Sequence, residues 1–246
     1  MGTTEQNAAK NFYAALFGWT PNDMDMGPNG VYTIFRLNGR DSAAAYTMGQ
    51  EDRALNMLPH WNLYIAVDNA DATVDKAAEL GGKVLAPAFD VFDAGRMAVI
   101  QDPTGAVFTV WQAKKNAGIG VVRDPGTFCW ADLSTPDPER ARQFYSGLFG
   151  WQLEAGEKDP SGYLHIKNSG RFIGGIPPVQ HRDPNTPPHW LIYFAVADVD
   201  ATAAKAKQMG ARFYVEPISM EGVGRMAVMA DPQGAVSAIF KESPRQ

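Results

Sequence analysis

The chain has 246 residues, 45% of them apolar and 11% aromatic, enough for two ordinary domains with a core each. Its 22 Lys and Arg against 27 Asp and Glu give a net charge of -5, and the bases form no cluster, which argues against a nucleic-acid or anionic-membrane partner. The single cysteine, Cys129, rules out an internal disulfide and any cysteine-rich metal site. With no leader at Met1 and no apolar run long enough to span a bilayer, the expected location is cytoplasmic.

Residues 3–17 read as an amphipathic helix with Phe12, Ala15 and Leu16 at helical spacing, stopped by Gly18. Strands are expected from about Trp19, over Tyr32–Leu37 and over Ser42–Thr47, the last two joined by the turn signal Asn38-Gly39. Residues 49–59 read as a polar connection. A strand over Asn62–Val67 follows, then a helix from about Asp71 ended by Gly81-Gly82, and strands near Lys83–Ala86, Arg96–Gln101 and Val107–Gln112. Asp102-Pro103-Thr104-Gly105 places each residue where a type I turn wants it.

After a Gly- and Lys-bearing connection the pattern restarts. Thr127–Leu133 reads as a strand, Asp137 as a helix N-cap and Pro138 as the first helical residue, followed by Ala141, Phe144, Tyr145 and Leu148 on one face. Strands near Gln152, Tyr163–Lys167 and Arg171–Ile176 complete that block. The stretch from His189 to Lys241 then repeats residues 60–112.

The repeat is close to literal. Pro59-His60-Trp61 returns as Pro188-His189-Trp190, Gly95-Arg96-Met97 as Gly224-Arg225-Met226, and Asp102-Pro103 as Asp231-Pro232, while Phe12-Tyr13 to Gly18-Trp19 matches Phe144-Tyr145 to Gly150-Trp151. A self-similarity of this length means duplication. The expected fold is α+β, with four βαβββ modules paired as two domains: residues 1–115, a linker at 116–126, and residues 127–246. The first module lacks its first strand, because Thr3-Thr4 aligns with Thr135-Pro136.

Paired βαβββ modules carrying Phe-Tyr-x-x-Leu-Phe-Gly-Trp and Asp-Pro-x-Gly signatures resemble the vicinal oxygen chelate superfamily of glyoxalases, extradiol dioxygenases and bleomycin-resistance proteins. The resemblance implies that two modules curve round a cavity, and that enzymes of the group hold a divalent metal there through His, Glu or Gln on the first and last strands. Carried over residue by residue, those positions fall on Trp130, Leu191 and Ala238 in the second half and on Asn62 and Thr109 in the first, with no donor in Arg171–Ile176 or Ser42–Thr47. Divalent metals need three or four oxygen or nitrogen donors at fixed corners. No metal and no other cofactor is therefore expected, a divalent metal being the alternative.

Strand alternation turns His60, Asn62, Tyr64 and Ala66 to one face and Leu63, Ile65 and Val67 to the other. The same rule gives His189, Leu191 and Tyr193 in the repeat, Trp130 and Asp132 on the other first strand, and the matching Trp111 and Phe240 on last strands. The ligand-binding candidates are therefore Trp130, Leu191, Phe240, His60, Asn62, Tyr64, Thr109 and Trp111, an aromatic wall suited to a flat or apolar small molecule. Asp132, His189 and Tyr193 are the candidates for acid–base chemistry, with a backbone contact as the simpler role for Asp132. A salt bridge is the simpler role for Arg96 and Arg225, and Cys129 is expected to face the core.

The leading expectation is metal-independent binding of a small aromatic or apolar molecule, of the sequestration or resistance type. The alternatives are a glyoxalase-like lyase, isomerase or dioxygenase with atypical site residues, and a purely structural protein. A small-molecule ligand is the expected partner, with no nucleic acid and no membrane, in a monomer or homodimer.

Overall fold

The computed structural model describes residues 1–54, 56–156 and 161–243. In chain order the elements are β1 (Gly2–Thr3), α1 (Gln6–Phe17), β2 (Thr20–Asp25), β3 (Val31–Leu37), β4 (Arg40–Thr47), α2 (Gln50–Ala54), β5 (Tyr64–Ala66), α3 (Ala70–Glu79), β6 (Lys83–Val91), β7 (Gly95–Gln101) and β8 (Val107–Ala113). The second half gives β9 (Phe128–Ser134), α4 (Pro138–Phe149), β10 (Gln152–Ala155), β11 (Leu164–Asn168), β12 (Arg171–Ile176), β13 (His189–Ala195), α5 (Val199–Gln208), β14 (Arg212–Met220), β15 (Gly224–Ala230) and β16 (Val236–Glu242). Four βαβββ modules are present. In place of the first module's leading strand the chain contributes only two residues, Gly2 and Thr3, paired in parallel with Tyr46 and Thr47.

The expected punctuation is visible at the helix ends. Gly18 and Gly150 close α1 and α4 in the left-handed conformation, where the absence of Cβ removes the steric cost. Asp137 caps α4, its carboxylate accepting from the Arg140 N–H at 3.0 Å. Asn69 and Asp198 cap α3 and α5 in the same way. Two expectations shift: α2 forms inside the supposed polar connection, and the strand expected over Asn62–Val67 shortens to three residues, which leaves Asn62 ahead of it. The sixth strand instead lengthens past Ala86 to Val91, with register shifts on either side of Ala86, the irregularity that Pro87 requires since it has no N–H to give.

The chain groups into two compact units, each drawing on both halves of the repeat. One comprises Met1–Trp61, Ile119–Cys129 and the chain from Ile192 onward; the other comprises Asn62–Gly118 and Trp130–Leu191.

The first unit holds strands in the order β1-β4-β3-β2 and the set β13-β16-β15-β14, with α1 and α5 in contact. Its core is an aromatic cluster of Tyr13, Phe17, Trp19, Phe35, Trp61 and Phe194, with neighbouring ring centroids 5.0–6.4 Å apart. Burying rings of this size is the main apolar contribution such a unit has. Tyr13, completely buried, donates its hydroxyl proton to Asp231 at 2.9 Å and accepts from the Trp61 indole at 3.2 Å. Asp231 holds its own turn, accepting from the N–H groups of Gln233, Gly234 and Ala235.

The second unit holds β5-β8-β7-β6 and the set β10-β11-β12-β9, with α3 against α4. The same relay recurs there: Trp190 donates to Tyr145 at 3.0 Å, and Tyr145 donates to Asp102 at 2.9 Å. Asp102 accepts from Thr104, Gly105 and Ala106 N–H in the turn. The most literal parts of the repeat, Pro-His-Trp, Phe-Tyr and Asp-Pro-x-Gly-Ala, thus converge on one buried Trp–Tyr–Asp relay per unit. Arg96 grips Asp71 through two bonds of 2.7 and 2.8 Å, and Arg225 grips Asp200 through two of 2.6 and 2.7 Å. The two arginines therefore have the salt-bridging role.

Candidate functional site

The face with the most chemistry lies on β9, β12, β11 and β10 of the second unit. Register fixes which residues share it: Asp132 stands opposite Gly175, Gly175 opposite His165, and His165 opposite Glu154. Alternation adds Trp130 beside Asp132, and Tyr163 and Lys167 beside His165. On the reverse face Ala131, Leu133 and Ile166 are buried at 4%, 0% and 0% exposure.

Three polar atoms meet on this face. Tyr163 donates its hydroxyl proton to Asp132 Oδ1 at 2.5 Å, the Trp130 indole N–H reaches the same oxygen at 2.9 Å, and it also lies 2.8 Å from the Tyr163 hydroxyl oxygen. Two side chains thus converge on the Asp132 carboxylate. Burial, and then the adjacent Asp132 charge, push the Tyr163 phenol up, so it stays protonated.

Tyr163 reaches Asp132 by crossing β12. A Cβ on Gly175 would lie 2.0 Å from the Tyr163 hydroxyl oxygen and 2.2 Å from the ring carbon that bears it, so only glycine lets the phenol lie over that strand. The aromatic surface continues outward: His165 lies 4.9 Å from Tyr163, 6.5 Å from Trp130 and 5.2 Å from Phe172, ring centre to ring centre. Lys167 stands over Phe172 at 4.8 Å and pairs with Glu154. Tyr163 and His165 are absent from the ligand-binding and acid–base candidates read from the sequence, where His165 counts only with His60, His181 and His189 as a possible metal ligand; period two within Tyr163–Lys167 and the Gly174-Gly175 pair are the signals that point to this face.

The remaining candidates separate into two groups. In the second unit Tyr64 and Thr109 are register partners and Trp111 lies next along β8, its ring 6.4 Å from that of Tyr64. Tyr64 is 44% exposed and Thr109 is buried. The Trp111 ring lies over Gly95, whose added Cβ would come within 2.3 Å of it, and its indole N–H donates to the Asn116 carbonyl at 2.9 Å. Asn62 and Leu191 are half-buried. His189 stands at the start of β13 with Nδ1 2.8 Å from the Pro187 carbonyl, so Nδ1 carries the proton there.

In the first unit, Tyr193 is buried and meets Phe240 edge-on at 6.4 Å, and Phe240 lies over Gly224 as Trp111 lies over Gly95. His60 repeats the arrangement of His189, with Nδ1 2.7 Å from the Leu58 carbonyl, and its backbone pairs with Gly2. Cys129 faces inward beside the Tyr193 carbonyl, and burial pushes its thiol up to about 12, which leaves it inert as a nucleophile.

Among the described residues no group of three or more His, Cys, Asp or Glu is arranged to hold a metal ion. Around Asp132 the donors are one carboxylate, already bonded to Trp130 and Tyr163, and one imidazole, His165. That set does not fit the divalent centre implied by the resemblance. No helix among the described residues is long and apolar enough to cross a membrane.

Residues 1–110 and 127–238 match the family description "Glyoxalase/Bleomycin resistance protein/Dioxygenase superfamily". Over 252 residues the chain is 44% identical to "Putative glyoxylase CFP32" of Mycobacterium bovis, covering 99% of this chain and 93% of that one. It is 32% identical over 253 residues to "Anthracycline biosynthesis protein DauV" of Streptomyces sp. (strain C5), covering 96% and 88%. Among solved structures, the Mn(II)-bound glyoxalase from Novosphingobium aromaticivorans shares the fold, with a TM-score of 0.65 at 18% identity over 97% of this chain and 79% of that one.

Proposed function

Because the chain belongs to the glyoxalase/bleomycin resistance protein/dioxygenase superfamily, we propose that it binds a small, flat aromatic molecule without a metal, on the face built by Trp130, Asp132, Tyr163 and His165. The observation that carries this reading is the composition of that face. Aromatic rings surround the Asp132 carboxylate, one oxygen of which already takes bonds from Trp130 and Tyr163, and the other carboxylate of the face, Glu154, is paired with Lys167, where a metal centre would need several open donors. The biosynthetic role named for the Streptomyces relative points to the same ligand class, polycyclic aromatics. In this reading Trp130 stacks on the ligand. Asn62, Tyr64, Thr109, Trp111 and Leu191 are further candidate contacts within the second unit, and His60, Tyr193 and Phe240 are candidate contacts of the first unit by itself.

The second reading is an enzyme, favoured by the name of the mycobacterial relative. Asp132 would then exchange a proton with the substrate, with His189 of the same unit as its candidate partner. Two measurements separate these. Metal analysis of protein purified without chelator, and again after loading with Zn, Ni, Mn and Fe salts and desalting, should find no stoichiometric metal; retained metal would sink the metal-free reading. Tryptophan-fluorescence titration with flat aromatics should give saturable binding that survives Asp132→Asn, whereas turnover that collapses in the same variant would establish the enzyme.

A further inference from the structure

We propose that Trp130, Asp132 and Tyr163 form a recognition point for the un-ionised hydroxyl of a hydroxyarene, so that the face takes neutral phenols and turns away phenolates and carboxylates. The proposal rests on the aromatic-binding reading above and adds the chemical group that the face selects.

Tyr163 is itself a hydroxyarene: its hydroxyl gives a proton to Asp132 Oδ1, lies within hydrogen-bond distance of the Trp130 N–H, and its ring meets His165 at 4.9 Å. The face therefore displays, with its own side chain, the coordination that suits a phenol: a carboxylate acceptor, an indole donor and an aromatic neighbour. A ligand hydroxyl that displaces the Tyr163 hydroxyl from this cluster takes over both partners that a phenol needs, the Trp130 N–H and the Asp132 carboxylate. A phenolate finds a carboxylate instead, and like charges at hydrogen-bond range in a partly desolvated site repel strongly. Burial is the larger reason that Tyr163 stays protonated, and the Asp132 charge adds the same effect within the protein.

The other charged groups on the face do not reverse this preference. From β10 comes Glu154 and from β11 Lys167, and these two pair with each other. His165 on β11 lies among rings, Arg171 stands exposed at the start of β12, and His189 on β13 is tied to Pro187. Asp132 is thus the charge that bears directly on a hydroxyl held by Trp130.

Alizarin, a flat hydroxyanthraquinone whose colour reports ionisation of its hydroxyls, tests the proposal on the full chain, with unsubstituted anthraquinone as the control. Below the dye's own ionisation, alizarin should bind at least about tenfold more tightly than anthraquinone. The colour change of the bound dye should move about one pH unit or more upward, a tenfold preference for the neutral form. Asp132→Asn should abolish the upward move, while Tyr163→Phe, which keeps the carboxylate, should preserve it. If Asp132→Asn fails to fold by circular dichroism, Trp130→Phe serves: whatever stacking both compounds lose, it should lower the ratio of alizarin to anthraquinone affinity about fivefold or more, and an unchanged ratio overturns the hydroxyl selection. Equal affinity for the two compounds, or a downward move of the colour change, overturns the hydroxyl selection and leaves aromatic binding standing. Absence of binding by either compound overturns both.

Discussion

Gly174 and Gly175 are adjacent on β12, yet alanine should act quite differently at the two positions. At Gly175 the new methyl would collide with the far end of a side chain, 2.0 Å from the Tyr163 hydroxyl oxygen. The ring can swing outward, losing its bond to Asp132 and its contact with Trp130, while the Trp130–Asp132 bond remains. A hydrogen bond to a charged group contributes about 1.5–3 kcal/mol. A half-buried tyrosine recovers part of that from water, and alanine gains about 0.5–1 kcal/mol over glycine inside a strand, so the net loss should be about 1 kcal/mol. At Gly174 the methyl would stand 2.3 Å from the Ala131 carbonyl oxygen, which is backbone of β9, register partner of Gly174. That oxygen cannot step aside without prising the two strands apart, and overpacking of this kind costs about 3 kcal/mol. Urea midpoints at constant m-value give both stabilities, and the indole N–H resonance of Trp130 reports whether Tyr163 has left. Gly175→Ala should move that resonance sharply at little cost in stability; Gly174→Ala should unfold at markedly lower urea. If the two variants prove equally stable, or the Trp130 signal ignores Gly175→Ala, the account of Tyr163 crossing a bare strand is wrong.

Tyr145→Phe should cost about 2–4 kcal/mol in urea unfolding, because it removes a donor from Asp102 and leaves the buried Trp190 N–H unpaired; Tyr13→Phe should match it through Asp231 and Trp61, and a loss below about 1 kcal/mol would show that the relays are incidental. Arg96 and Arg225 hold the Asp71 and Asp200 carboxyls below their usual range, so their contribution is present above about pH 3.9 and lost as pH falls through the lowered values. Asp71→Asn and Asp200→Asn should therefore flatten the acid limb of stability against pH. Asp231 runs the other way: burial raises it, its contribution becomes less favourable as pH rises from about 3.9 toward the raised value, and Asp231→Asn should remove that opposing slope. Cys129, the sole thiol and shifted to about 12, should resist iodoacetamide at pH 8 until the protein is unfolded in urea; rapid labelling of native protein would place it outside the core.

Much of the fold could be read from the sequence because its signals are local. The glycines after α1 and α4, the Asp137 cap and the Asp-Pro turns each act within about four residues, and there the spacing and the structure agree. Asp132 and Trp130 were found by alternation along a single strand. Tyr163 was not, because its importance depends on Gly175 being bare and on Asp132 lying one strand further on, a relation across the sheet with no counterpart in the periodicity of either strand. The Trp–Tyr–Asp relays escaped for a related reason. Tyr13 and Asp231 are 218 residues apart, and although each was visible as a repeated letter, repetition tells which residues correspond and not which ones touch. The histidines show what residue type alone leaves out: His60 and His189 stood out by type, and the structure adds that each has Nδ1 at a carbonyl two residues earlier.

The way the compact units draw on the chain sets an order of assembly during translation. Every segment of the unit containing Tyr145 has been made once Leu191 emerges, so it can close while synthesis continues. The other unit opens with residues 1–61 and waits for the chain beyond Ile192 before Tyr13 can meet Asp231 or Phe17 can meet Phe194. Until that later chain emerges, Tyr13, Phe17 and Trp19 can pack on Phe35 and Trp61 but lack Phe194 and the strands β13–β16, which leaves part of their aromatic surface exposed, the kind of intermediate that associates with other chains. Slowing the ribosome ahead of residue 192 lengthens that exposure, and a chaperone that shields the first 61 residues during this interval should raise the yield of native protein.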